Sequence, residues 1–413
     1  MKKIYLTTLH LLLILFTASA QSSRVCGTEE YNNNLMQHDA VFKKNQEAFN
    51  AQMNSFINNR ISAAQVPVYI PVVFHVVYNT AAQNISTARI LDQLQVLNDD
   101  FQRKNADTIN TPFVFQPCAA ASEIHFCLAQ RDPNGQSTSG IVTVQTSQTS
   151  FSNVDDVKST GQGGDNIWPH NDYFNIWICN IANGITGTAT FPGGNPMTDG
   201  VVLHYECVGG PNAPGTLPPF NLGRVGTHLT GHWLNLIHFP VNCDSSIANV
   251  CQPSQPAMPS GCPQFPDTSC NGNNSPYGTM FMNFMQGTDD NCMNLFNVGQ
   301  LARMNVTMSG LRNALTVSTG CLPVGVNEMN GLAGNFTIAP NPSSGNIQLH
   351  VNIKHTAPLK YEIINILGKR VFQSEILNPE SKINLDISFL KKGIYLVRLG
   401  NGTSFENKKL VIE

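Results

Sequence analysis

Apolar and polar positions divide the 413-residue chain into stretches of different period. Residues 1–20 begin with Lys2 and Lys3, run apolar from Leu11 to Phe16 and close on Ala18-Ser19-Ala20, the layout of a cleaved secretory signal peptide. Residues 21–60 are polar with helical spacing, and Phe42, Ala48, Phe49, Met53 and Phe56 form one thin apolar stripe. So narrow a stripe cannot build its own core, which predicts a pro-segment packed on its neighbour, with Arg60-Ile61 as an exposed cut site. Residues 68–78 are apolar and β-branched enough for a sheet interior. Ile90, Leu94, Leu97 and Phe101 mark one face of a helix, and strands are predicted over 124–128, 173–179 and 200–206. Helices follow around His228 and over 298–315, so 61–322 is expected to be an α+β domain with a mixed sheet. After a Gly/Asn-containing linker at 323–334, short alternating strands recur over 347–351, 361–366, 383–387, 394–399 and 410–412. Residues 335–413 therefore read as a small Ig-like β-sandwich.

Charge narrows the partners. Without Lys2 and Lys3 the chain carries 22 basic against 27 acidic side chains, a formal charge of −5, with no basic cluster. Nucleic acid and anionic membrane are poor partners on that ground, and no segment after the signal is long and apolar enough for a transmembrane helix. All 11 cysteines lie beyond the signal, as suits an oxidising compartment. Their odd number leaves at least one unpaired, and Cys26, isolated near the mature N-terminus, is the candidate. Residues 243–292 are rich in Pro and Gly and poor in periodicity, so disulfides are expected there. Cys243, Cys262, Cys270 and Cys292 can form two interlocked bridges, with the connectivity left open.

The candidate chemistry lies in Thr227-His228-Leu229-Thr230-Gly231-His232-Trp233-Leu234-Asn235-Leu236-Ile237-His238. Histidines four apart on a helix share a face, so His228 and His232 can hold one metal ion. For His238 to reach the same ion the chain must leave the helix sharply, and Asn235 tolerates the left-handed conformation this needs. Three imidazoles and one open position describe a catalytic-type zinc geometry.

This stretch, preceded by Asn221-Leu222-Gly223-Arg224, resembles the pappalysin family of metzincin zinc metalloendopeptidases. Met280-Phe281-Met282-Asn283-Phe284-Met285 looks like the Met-turn, with Met285 beneath the metal. Thr288 to Met293, Tyr173 to Asn180 and Thr198 to Val202 continue the likeness, which covers about 65–322. The resemblance implies a metzincin-like fold, a zinc cofactor on His228, His232 and His238, and protein or peptide substrates or ligands. It also implies that Cys26-Gly27-Thr28 caps the zinc through the Cys26 thiolate. Asn341 to Gly345, Ile366 to Lys369, Lys392 to Val397 and Lys408 to Ile412 resemble the sorting tail of type IX secretion substrates. The tail implies passage through periplasm and outer membrane on the type IX machinery, and a secreted or cell-surface-attached product.

Three departures stand out. Leu229 occupies the position of the family's general-base glutamate, whose assistance is worth roughly 10²–10⁴ in rate. Gly287 stands where a tyrosine donates to the oxyanion, an interaction worth on the order of 10²–10³. Ile247-Ala248-Asn249-Val250-Cys251 replaces an Asp-Thr-Pro run that binds calcium in the family, so calcium is not expected. Glu206, on the predicted strand 200–206 with His204, is the remaining carboxylate considered as a substitute base. The sequence thus sets a zinc-binding protein with weak or lost peptide hydrolysis beside an active endopeptidase with a substitute base.

Overall fold

The computed structural model describes residues 25–58, 67–238, 261–267, 278–324, 336–351, 359–366, 368–376, 381–400 and 405–413. The signal peptide, Arg60-Ile61, Cys243, the 247–251 stretch and Cys270 lie outside them. The chain divides into two units, with the boundary between Pro323 and Val324.

The first unit opens with helices α1 (Thr28–His38) and α2 (Ala40–Asn58). Of the predicted stripe, Phe42 and Phe49 are buried, whereas Ala48 is exposed and Gln46 takes the inner position instead. β1 (Val68–Tyr78) is the sheet's backbone, buried from Ile70 to Val77 as a strand covered on both faces must be. α3 (Thr87–Phe101) starts on a Ser86 cap and packs Ile90, Leu97 and Phe101 into the main core, with Leu94 partly buried against it. β2 (Ala119–Ala120), β3 (Ile124–Leu128), β4 (Ile141–Gln145), β5 (Phe174–Cys179), β6 (Gly187–Ala189) and β7 (Val201–His204) follow.

β3 and β4 share one side of β1, each parallel to half of it, and β5 and β7 extend the parallel sheet on the other side. β6 closes the sheet as an antiparallel edge on β7. α4 (Arg224–Trp233) lies beneath the sheet with all of its residues buried. β8 (Phe296–Asn297) pairs with β2, and α5 (Val298–Ser309) starts on a capping box between Asn297 and Gln300.

Two predicted elements are shorter than the sequence suggested. The strand over 200–206 ends at His204, because the His204 side chain accepts from the Glu206 N–H and caps a 3₁₀ turn over Tyr205–Cys207. The helix over 298–315 ends at Ser309; Gly310 interrupts it, and the chain resumes as a 3₁₀ turn over Asn313–Val317. A disulfide joins Cys127 on β3 to Cys321 at the end of the unit.

The second unit contains β9 (Phe336–Ala339), β10 (Asn346–Val351), β11 (Leu359–Asn365), β12 (Arg370–Ile376), β13 (Ser381–Asp386), β14 (Gly393–Gly400) and β15 (Phe405–Ile412). They form two antiparallel sheets, β13-β10-β9 and β12-β11-β14-β15, over a core that includes Phe336, Leu349, Ile363, Val397 and Leu410. β9 and β12 were not expected from the alternation.

Candidate metal centre

α4 is pinned at its start. The Arg224 guanidinium lies 3.1 Å from carboxylate oxygens of both Asp100 and Asp107 and also donates to the Met293 carbonyl. One turn later the Thr227 hydroxyl donates to Asp100 at 2.6 Å. With its first turn fixed, the helix presents His228 and His232 on one face, both buried. Asn235 then takes φ +69, its N–H donating to the His232 carbonyl at 2.7 Å, and the chain turns back so that His238 joins them.

The three Nε2 atoms lie 3.0–3.1 Å apart. Each Nδ1 faces an acceptor: the Phe284 carbonyl for His228 (2.8 Å), the Leu236 carbonyl for His232 (2.7 Å) and the Glu29 carboxylate for His238 (3.3 Å). These partners place the proton on Nδ1 and leave the Nε2 lone pairs converging. Lone pairs so close repel unless a cation sits among them, and zinc at about 2.0–2.1 Å from each of three tetrahedral nitrogens would space them about 3.3 Å apart. The donor set fits that ion.

The Cys26 sulfur completes a cluster in which all four potential ligand atoms lie within 4.8 Å of one another. Its stretch of chain runs as an added strand along β6. Gly27 N–H donates to the Gly187 carbonyl at 3.0 Å, Thr186 donates to the Val25 carbonyl, and Ala189 N–H donates to the Thr28 hydroxyl oxygen. Asn32 extends the seam through Ala189 and Phe191. Burial raises the Cys26 thiol, but the His232 and His228 rings more than reverse this and hold it well below the ordinary thiol value. Burial takes His228 down to about 3 despite the Cys26 sulfur, and burial also lowers His232. In His238 the cost of burial is outweighed by Cys26 and Glu29, which raise it. Two imidazoles held neutral beside a thiolate suit a divalent cation.

The two departed positions face this centre differently. Leu229 is 1 % exposed and belongs to the main core. Its Cδ1 lies only 2.3 Å from where a side chain on Gly187 would begin, so the bare glycine of β6 makes room for it. Gly287 is half-buried after the Met-turn and has no side chain to offer an oxyanion. Met285 is buried beneath α4, where its sulfur would lie 2.6 Å from a Cβ at Gly231. Glu206 faces His204 at 3.9 Å and Thr216 at 3.4 Å, and does not join the metal-ligating cluster among the described residues. Cys262 pairs with Cys292, one of the connectivities open to the four candidates.

Sequence reasoning missed two parts of the site. β6 is a Gly-Thr-Ala tripeptide with no strand signal, yet it carries the N-terminal segment. Glu29 reads as an acidic residue in a first helical turn, a common preference that hides its contact with His238.

Asn235 makes a measurable prediction. Its side chain is fully buried, and both amide atoms lack hydrogen-bond partners among the described residues. Burying such groups costs about 1–3 kcal/mol. The looser unfolded chain of a glycine variant offsets about 0.4–1 kcal/mol of that. Asn235→Gly is therefore expected to stabilise the fold by about 1 kcal/mol, read as a higher urea midpoint at unchanged m-value.

Comparison with known proteins adds a consistent set. Residues 337–413 match the secretion system C-terminal sorting domain. An extracellular metalloprotease of Verticillium alfalfae is 31 % identical over 251 residues, covering 59 % of this chain and 76 % of the relative. One from Pyricularia oryzae is 27 % identical, covering 70 % and 89 %. Among solved structures, mature mirolysin of Tannerella forsythia in complex with a cleaved peptide is 44 % identical, covers 62 % of this chain and 97 % of its own, and has a TM-score of 0.56. A glutamate-to-alanine mutant of promirolysin is 40 % identical, covering 71 % and 97 % with a TM-score of 0.62.

Proposed function

This chain belongs to the pappalysin family of metzincin metallopeptidases, and on that premise we propose a secreted, zinc-binding member in which peptide hydrolysis is weak or lost. The observation that carries the proposal is Leu229, a buried hydrocarbon in the position of the general base. The sorting tail at 337–413 marks export by the type IX secretion system. His228, His232 and His238 would hold the zinc, which when bound supplies Lewis-acid polarisation and an acidified water.

What this chain supplies around the metal is a frame without proton traffic. Leu229 can neither take a proton from water nor deliver one to a leaving amine, and Gly287 cannot donate to an oxyanion. The Cys26 segment lies along β6 and covers the metal-facing side, as a zymogen cap would. With that segment gone, the edge of β6 that pairs with Val25 and Gly27 would take an extended peptide, held as substrate or as ligand. The alternative, an active secreted endopeptidase with a substitute base, draws on the names of the relatives. Glu206 supports it poorly, since its carboxylate is engaged with Thr216.

The test combines metal content and activity. The purified chain is expected to carry about one zinc by elemental analysis, and chelation is expected to lower its melting temperature. A ligand at a hundredfold over its dissociation constant stabilises by about 2.7 kcal/mol. With residues 61–322, which lack the Cys26 segment, hydrolysis of an unfolded protein substrate is expected to match that of their His228→Ala variant. Hydrolysis that disappears in His228→Ala would instead establish the active alternative.

A further inference from the structure

We infer that Glu29 is a positioning residue of the metal centre, so that the N-terminal segment raises metal affinity as well as covering the site. This rests on the zinc reading above. An imidazole that binds metal through Nε2 needs its Nδ1–H held, and a carboxylate there fixes the ring and makes it a stronger ligand. His228 and His232 give that hydrogen to carbonyls of Phe284 and Leu236, close to the metal helix. His238 stands beyond the turn at Asn235, in chain without regular structure, and gives its hydrogen to Glu29 at 3.3 Å. The N-terminal segment thus reaches the centre twice, through the Cys26 sulfur and through a carboxylate three residues later.

The acidic first turn of α1 does not by itself explain Glu29. Glu30 lies in the same turn and complements the helix terminus equally. Glu30 therefore separates the two roles. The segment is also anchored away from the metal. The Tyr31 hydroxyl lies 3.0 Å from both Asp155 oxygens, Gln46 donates to the Pro192 carbonyl at 2.7 Å, and Phe42 is fully buried. Glu29 can be altered without undocking it.

The experiment uses the full chain, stripped of metal and retitrated with zinc against a chromophoric chelator. Glu29 is largely exposed, so the low end of the usual effect applies: Glu29→Gln is expected to weaken zinc binding about tenfold. Glu30→Gln is expected to leave it unchanged. With cobalt in place of zinc, Glu29→Gln should keep the thiolate-to-metal band of Cys26 while its d–d bands shift, and the metal-free melting temperature should not move. Zinc affinity equal to that of the unaltered chain would overturn the inference and leave the zinc reading intact. Loss of the thiolate band in Glu29→Gln would overturn it too, since the residue would then act by docking the segment. Failure of the unaltered chain to take up zinc would overturn the zinc reading itself.

Discussion

A protein spanning residues 61–322 with Leu229→Glu and Gly287→Tyr, supplied with zinc, is expected to cleave unfolded protein at least a hundredfold faster than the same span unaltered. The glutamate alone accounts for roughly 10²–10⁴ through proton transfer, and the tyrosine for on the order of 10²–10³ through the oxyanion. Both act on one transition state, so the combined gain falls short of the product. Position 229 is built to carry such a group: it follows His228 on a helix pinned through Arg224 and Thr227, one residue from a metal ligand. The replacement removes a side chain that fills the space beside Gly187, so a lower melting temperature should accompany the gained activity. Initial rates of the pair and of the two single variants decide the matter. Equal rates throughout would mean that hydrolysis fails for a reason other than these two positions.

Arg312→Ala is expected to destabilise the first unit by about 3–5 kcal/mol, the usual result of removing one partner from a buried ion pair. The guanidinium makes two parallel 2.8 Å bonds to Asp199, donates a third at 2.8 Å to the Trp233 carbonyl, and stacks 3.8 Å over the Trp233 ring. Asp199 precedes β7, and Trp233 ends α4 and stacks on Phe174 of β5. One side chain therefore joins the end of the metal helix to the sheet. Lys in its place keeps charge but not the fork, and should recover only a small part of the loss. Chemical denaturation of the metal-free protein reads this directly. A change below about 1 kcal/mol would show that Asp199 finds another partner.

Met285 was picked out only through the family resemblance, whereas the spacing of His228, His232 and His238 was legible because it depends on residues close in sequence. Asn235 was legible for the same reason, as a position where a left-handed residue is required between His232 and His238. β1 was legible as a continuous apolar, β-branched run and α3 by its helical periodicity. By contrast, β6 is three small residues whose strand character comes wholly from its neighbours β7 and Val25–Gly27, and no local pattern records that. The Asp199–Arg312 and Cys127–Cys321 pairs join residues far apart in the chain, which single-sequence periodicity does not address. Glu206 was misplaced because an apolar run resembled a longer strand, while the His204 side chain ended it by capping the next turn.

The Cys127–Cys321 bridge has a mechanical consequence. A tail used for attachment outside the cell transmits any pull into the first unit at Pro323. There the backbone carbonyls of Cys321, Leu322 and Pro323 are gripped by Gln130 and Arg131, and the bridge fastens Cys321 to β3 covalently. Tension is passed straight into a strand that pairs with β1, ahead of α5 and the metal helix. In a tethered molecule that route would spare the centre built around His228, and reduction of the Cys127–Cys321 bridge would expose it to the load.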